Sequence, residues 1–229
     1  MAARWSRANP VRTGAHPLVS ATGRRHNRPM AKLYFSYAAM NAGKSTLLLQ
    51  ASYNYRERGM RTLMFIAALD DRAGIGTIAS RIGLEADADF FAPEDDLFGA
   101  IAAAHAEAHV HCVFVDEAQF LTQGQVWQLA HVADRLGIPV MCYGLRTDFQ
   151  GKLFPGSAEL LAIADSLREI RTICHCGAKA TMVVRLAPDG IPLTEGDQVA
   201  IGGNERYVSL CRRHWEETVG RWPLTEIRS

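Results

Sequence analysis

Three groups of residues in this sequence have types and spacing suited to chemistry. The first is Ala38-Ala39-Met40-Asn41-Ala42-Gly43-Lys44-Ser45, which follows the pattern GxxxxGK[ST] except at its first glycine. In that pattern backbone N–H groups wrap phosphate oxygens, the lysine reaches the β and γ oxygens, and the hydroxyl binds Mg2+. With Ala38 in place of the glycine, the loop must start without a positive φ or bear its strain. The bland alternative is a chance Gly-Lys-Ser at a helix start. The second group is Asp116-Glu117, directly after the apolar run Cys112-Val113-Phe114-Val115. An aspartate at the carboxyl end of a buried strand orders Mg2+, often through its waters, and a second acid beside it can take a proton from a nucleophile. Alone, the pair would read as two solvated loop acids. The third group is Cys174-His175-Cys176 and Cys211-Arg212-Arg213-His214. Cys174, Cys176, Cys211 and His214 can supply the four N/S ligands of a structural Zn2+, and Gly177 suits a tight metal-binding turn. His175 stays an alternative ligand, although the middle residue of such a turn usually points away. Three reduced cysteines beside two histidines is the other reading. A closed site of this kind stabilises rather than catalyses, supplying about 10–16 kcal/mol to a mini-domain with little core of its own.

The surrounding sequence must hold these groups in place. Leu33-Tyr34-Phe35 reads as a strand, and residues 44–58 as a helix stopped by Gly59 in a left-handed conformation. Residues 62–66 and 112–115 read as further strands, with an Ala-rich helix over 94–109 between them. Val126, Leu129, Ala133 and Leu136 form one helical stripe that ends at Gly137, and 139–143 is another buried strand. Strands apolar on both faces and alternating with helices imply a parallel sheet covered on both sides. That α/β texture runs to about residue 165. Residues 170–210 carry short strand-like runs and the turn signals Pro188-Asp189-Gly190 and Gly202-Gly203-Asn204. The expected fold is therefore a P-loop NTPase-type parallel sheet flanked by helices, with a small zinc-stabilised β-rich domain. Its expected boundaries are 30–168 for the ATP-binding domain, 169–215 for the zinc-binding domain, and 216–229 for a tail.

Composition narrows the function classes. The chain has 229 residues, 48% hydrophobic and 21% charged, a globular rather than disordered make-up. No run approaches the ~20 apolar residues of a spanning helix. Arg4, Arg7, Arg12, Arg24, Arg25 and Arg28 stand in residues 1–29 without one acid, which leaves 19 basic against 24 acidic residues beyond, a net of −5. A body of that sign argues against broad duplex binding. Residues 1–29 lack the apolar core of a secretory signal and a clear amphipathic repeat; a disordered basic extension is expected, with Met30 the natural start. Cys112 and Cys142 sit in apolar runs as small core hydrophobes. Five cysteines without a signal peptide point to a reducing, cytoplasmic setting. Asp-Glu-Ala-Gln also resembles a helicase motif, but one core of this size with an acidic balance supports a helicase poorly.

Taken together, the motifs resemble a known family. The segment Tyr-Ala-Ala-Met-Asn-Ala-Gly-Lys-Ser-Thr, then Asp70-Asp71-Arg72, Asp-Glu-Ala-Gln-Phe-Leu, Tyr-Gly-Leu-Arg-Thr-Asp-Phe (143–149) and Ile-Gly-Gly-Asn-Glu-Arg-Tyr (201–207) is similar, in order and spacing, to the zinc-containing tetrameric thymidine kinases in their bacterial form. The resemblance covers roughly four-fifths of the chain and omits the basic extension. It implies transfer of the ATP γ-phosphoryl group to the 5′-hydroxyl of thymidine, and of deoxyuridine, in nucleotide salvage for DNA synthesis. By this resemblance Glu117 is the general base, and Lys44 and Ser45 hold the triphosphate and Mg2+. Asp116 orders the metal's waters, and Gln119 belongs to the nucleotide-binding set. Arg72 lies near the transferring phosphate, in a lid that follows Asp70. Phe120, Leu145 and Phe149 surround the nucleoside. Gln198, Val199, Ala200, Ile201, Gly202 and Tyr207 belong to a zinc-tethered loop that grips thymine. The resemblance also implies a homotetramer, feedback inhibition by thymidine triphosphate, and neither nucleic acid nor membrane as partner. Two rivals are a kinase for another nucleoside and a nucleic-acid-binding ATPase with a zinc ribbon.

Overall fold

The computed structural model describes residues 31–68, 77–198 and 206–220. The basic extension, Arg72 with the expected lid, and residues 199–205 lie outside the described residues. In chain order the elements begin with β1 (Leu33–Ala38), α1 (Lys44–Arg56), β2 (Thr62–Ala67), β3 (Thr77–Ala79), β4 (Glu85–Asp87) and β5 (Asp89–Phe91). There follow α2 (Leu97–Glu107), β6 (Cys112–Asp116), a 3-10 turn (Ala118–Phe120), α3 (Gln123–His131), β7 (Val140–Leu145), α4 (Pro155–Ile163) and β8 (Ser166–Glu169). The remainder is β9 (Thr172–Ile173), β10 (Lys179–Ala180), β11 (Met182–Leu186), β12 (Pro192–Leu193), β13 (Tyr207–Leu210) and α5 (Arg212–Val219).

Six strands form one sheet in the order β5-β2-β6-β7-β1-β8, and every pairing is parallel. Successive side chains of a strand point to opposite faces, and each face here is apolar. Val113 and Val115 of β6 pack with Leu33, Phe35, Ile101, Leu129 and Leu160 beneath α2, α3 and α4. Cys112 and Phe114 face the other way, onto Leu48, Leu49 and Ile78 beneath α1. Burial pushes the Cys112 thiol up to about 12, so it is a core hydrophobe and not a nucleophile. Among the described residues no helix is long and apolar enough to cross a membrane.

The helix ends follow local chemistry. Asp96 caps α2 by accepting from the Gly99 N–H at 3.0 Å. At α3, Thr122 and Gln125 close a reciprocal capping box over 3.2 and 3.1 Å. The stripe Val126 to Leu136 is helical throughout, but from Val132 to Leu136 it widens into a π turn before Gly137 stops it at φ 68. The antiparallel β3–β4 pair, β5, α4 and β8 have no counterpart in the periodicity reading. They are short, and their apolar residues show no clean period.

Beyond β8, two small antiparallel sheets, β9–β10 and β12–β11–β13, lie with α5 around a third core of Cys174, Ala180, Val184, Leu210, Cys211, Trp215 and Val219. Helix α5 runs past residue 215, and Val219 belongs to that core.

One close approach fixes the floor of the sheet's active end. A Cβ on Gly156, in the first turn of α4, would stand 2.6 Å from the Ala118 carbonyl oxygen and 2.7 Å from that of Leu121. Glycine lets α4 press against the 3-10 turn, and the Ser157 hydroxyl donates to the Leu145 carbonyl at 2.5 Å. Gly156→Ala should cost about 1–3 kcal/mol through overpacking, read as a lower denaturation midpoint. An unchanged midpoint would contradict this packing.

Candidate active site and metal centre

The carboxyl ends of β1, β6 and β7 lie side by side, with β7 in the middle. Open parallel sheets bind ligands at this edge. The loop after β1 turns through two left-handed residues, Asn41 at φ 63 and Gly43 at φ 81, and α1 starts at Lys44. Ala38 ends β1 as a strand residue and is not among the positive-φ positions, so the missing first glycine costs no strain. The N-terminal N–H groups of α1 therefore head a loop suited to phosphate.

Asp116 ends β6 and is 2% exposed. Its Oδ2 accepts from the Ser45 hydroxyl at 2.8 Å and its Oδ1 from the Glu117 N–H at 3.0 Å. Burial pushes the Asp116 carboxyl up to about 6, and the Glu117 charge adds to the rise, against Lys44 and the Ser45 bond, which pull it down. A hydroxyl and a carboxylate converging beside a phosphate loop are the hard oxygen donors that suit Mg2+.

Glu117 is buried and sits in the left-handed region at φ 50, ψ 39. Such a backbone costs a non-glycine residue about 1–2 kcal/mol. Here it turns the chain sharply out of β6 into the 3-10 turn. The Gln119 side-chain amide donates to Glu117 Oε2, while its own oxygen accepts from the Leu145 N–H at 2.9 Å. Gln119 is only 1% exposed. A Cβ on Gly144 would stand 2.9 Å from the Gln119 amide oxygen, so β7 carries glycine where this bridge crosses it.

The residues expected around the nucleoside fall nearby. Phe120 meets Phe154 edge-on, with centroids 5.9 Å apart. Leu145 and Phe149 are buried. The Phe149 ring lies beneath the Arg185 guanidinium, whose carbon is 3.8 Å from the ring centroid. Gln198 donates to Asp148 Oδ2 at 2.9 Å. The Tyr207 carbonyl accepts from Asn41 Nδ2 at 3.5 Å, and the Ser209 hydroxyl donates to the Met40 carbonyl at 2.5 Å. Strand β13 thus touches the phosphate loop. The sequence reading assigned no role to Gly144, Asp148, Arg185 or Trp215. Asp148 stood inside a quoted motif without a partner to name, and Arg185 in Val-Val-Arg-Leu carried no signal.

The metal candidates also converge. One ligand atom each from Cys174, Cys176, Cys211 and His214 lie within 4.8 Å of one another. His214 Nδ1 is 3.3 Å from Cys174 Sγ and 3.4 Å from Cys211 Sγ, and the Cys176 and Cys211 sulfurs are 3.9 Å apart. A tetrahedral Zn2+ with bonds of about 2.3 Å to sulfur and 2.0–2.1 Å to nitrogen asks for edges of about 3.5–3.8 Å. The donor set fits. His175 stands outside these four, its ring 4.3 Å from that of His214.

A parallel sheet with a phosphate loop after its β1 strand and paired acids at the end of β6, the next strand but one, makes this a P-loop NTPase-type protein. Residues 31–215 match the family model described as "Thymidine kinase". The curated thymidine kinase of Agrobacterium fabrum is 70% identical over 189 residues, which cover 82% of this chain and 98% of that relative. That of Rhizobium meliloti is 72% identical over 190 residues, 82% and 97% respectively. That of Photobacterium profundum is 59% identical over 192 residues, 84% and 100%. The chain belongs to the thymidine kinase family.

Two outcomes follow from this geometry. Asp116 has a folded pKa above the ~3.9 of an unfolded aspartate. Its contribution to stability is complete below about pH 4 and is lost as pH rises through about 6. Asp116→Asn never ionises, so the unliganded variant should melt at or above the wild-type temperature near neutral pH while losing turnover. A lower melting temperature would contradict the burial argument. Metal analysis of the wild type should find about one zinc per chain, and Cys174→Ser should lose it and melt earlier. Full occupancy in the variant would remove Cys174 from the ligand set.

Proposed function

We propose that the protein transfers the γ-phosphoryl group of ATP to the 5′-hydroxyl of thymidine, releasing ADP and thymidine 5′-monophosphate for nucleotide salvage. The observation that carries this reading is the placement of Glu117. Its carboxylate is held by Gln119 one residue beyond the Asp116–Ser45 bond, and so beside the phosphate loop. Family membership and the named relatives support thymidine as acceptor.

In this reading the loop from Ala38 to Gly43 wraps the triphosphate with its backbone N–H groups, and Lys44 faces the β and γ oxygens. Ser45 and Asp116 would hold Mg2+ and its waters; when bound, the ion neutralises charge on the phosphates. Glu117 accepts the 5′-hydroxyl proton as that oxygen attacks phosphorus. Gln119, buried between Leu145 and Glu117, holds the base at its rotamer. Arg72 is assigned to the transferring phosphate, where a cation stabilises developing charge. Phe120, Leu145, Phe149, Gln198, Val199, Ala200, Ile201, Gly202 and Tyr207 are assigned to the nucleoside. Zn2+ on Cys174, Cys176, Cys211 and His214 would brace the ends of β9 and β13, between which residues 198–202 fall in the chain, lowering the ordering entropy of each binding event. A methyl group is worth only about 1–3 kcal/mol to a pocket, so deoxyuridine is accepted as well. The same reading includes a homotetramer, feedback inhibition by thymidine triphosphate and a cytoplasmic setting, supported by the family match.

Glu117→Gln is the test. With Mg·ATP and thymidine the wild type should turn over, and the variant should retain ATP binding while losing about 10²–10⁴ in kcat. Near-normal turnover in the variant would remove Glu117 as the base.

A further inference from the structure

Arg185 is a buried cation with no carboxylate partner among the described residues. It lies in β11, opposite Leu193 on one side and Tyr207 on the other, and is 6% exposed. Its guanidinium stacks on Phe149 at 3.8 Å. Nη1 donates to the Asp197 carbonyl at 2.8 Å. Its Nε is buried without a hydrogen-bond partner. A buried charge paired, among the described residues, only with a ring and a carbonyl is an expensive feature for stability alone.

The surroundings give that expense a use. Arg185 lies between two stretches that otherwise meet through side-chain amides. Gln150 reaches the Thr194 and Gly196 carbonyls at 3.4 Å each, and Gln198 reaches Asp148 Oδ2 at 2.9 Å. A Cβ on Gly196 would come within 2.6 Å of Arg185 Nη2, so that residue is glycine, at φ 126, where the guanidinium passes. Asp148 is itself fixed, its Oδ1 accepting from the Gln150 and Lys152 N–H groups at 2.9 and 2.8 Å. The Phe149 carbonyl accepts from the Trp215 indole N–H at 3.3 Å.

We infer that Arg185 is a positioning residue for nucleoside recognition: it locks the Phe149 ring and the 194–198 stretch into one arrangement without touching the nucleoside. The inference rests on the thymidine kinase reading, which assigns Phe149 and Gln198 to the nucleoside. The planar guanidinium does two things at once, stacking by its face and donating by its edge, which an ammonium cannot do. Because the Arg185 side chain contacts Phe149 and Asp197 and, among the described residues, no residue of the phosphate loop, its loss acts on the nucleoside and spares ATP.

The test uses Arg185→Met, which keeps the apolar stem, and Arg185→Lys, which keeps the charge but not the plane. Thymidine KM, ATP KM, kcat and the melting temperature without substrate are measured for each. The inference expects thymidine KM to rise about tenfold or more in Arg185→Met, the scale of a lost hydrogen bond to a charged group. ATP KM should stay within about twofold, and the melting temperature should be equal or higher, because an unpaired buried charge has gone. Arg185→Lys should show the same split to a smaller degree, and it carries the test if the Met variant does not fold. An unchanged thymidine KM would overturn the inference. So would a lower melting temperature with both KM values raised alike, the pattern of a purely structural arginine. A wild type that does not phosphorylate thymidine would instead sink the parent reading, and the inference with it.

Discussion

Two adjacent carboxylates are buried at the end of β6, and much of the surrounding structure serves to keep them there. Asp116 and Glu117 are 2% and 7% exposed, and burial together with the Glu117 charge raises the cost of ionising Asp116. They are tolerated because each has a donor brought from elsewhere: Ser45 from the phosphate loop to Asp116, and Gln119 from the 3-10 turn to Glu117. The left-handed backbone at Glu117 makes the second bond reachable, since it redirects the chain within one residue. Gly144 and Gly156 then leave room for Gln119 and the turn that carries it. Strain, glycine placement and a raised carboxyl pKa all have one origin, the holding of two buried carboxylates beside the phosphate loop.

The smaller β-rich part joins this site by several routes. Its strand β13 meets the phosphate loop at Met40 and Asn41. Its 194–198 stretch meets the turn after β7 through Asp148, Gln150 and Arg185. Trp215 of α5 holds Phe149, and the same helix carries His214. The four metal candidates sit at the ends of these elements, Cys174 just after β9 and Cys211 just after β13. A metal there would act on geometry at a distance, by fixing the strand ends from which the contacts are made.

Much of the parallel sheet was legible in the sequence because its strands are apolar on both faces and its turns have glycine where φ is positive. Gly59 and Gly137 are the clearest cases. The phosphate loop, the acid pair and the four metal candidates were legible from spacing, because each needs its members close in sequence or as two short pairs. What escaped the reading lacks those properties. Helix α4 is nine residues long, and its start is set by packing on the 3-10 turn, which periodicity does not encode. Arg185 and Asp148 matter through partners 12 and 50 positions away in sequence. No local pattern marks an arginine in a strand as one that stacks on a distant phenylalanine. Ala38 was legible as a departure that the family resemblance makes harmless; the physical reason, that it is still strand, is visible only in the fold.

In the proposed function the acid pair beside the phosphate loop serves a nucleoside hydroxyl. The most direct measurement is ADP release from Mg·ATP by purified protein with thymidine, deoxyuridine, each other deoxynucleoside and single-stranded DNA in turn. Release should depend on thymidine or deoxyuridine, with one molecule of the matching nucleoside monophosphate formed per ADP. Release that requires DNA and ignores nucleosides would leave the phosphate loop correctly read and contradict the assignment of its acceptor.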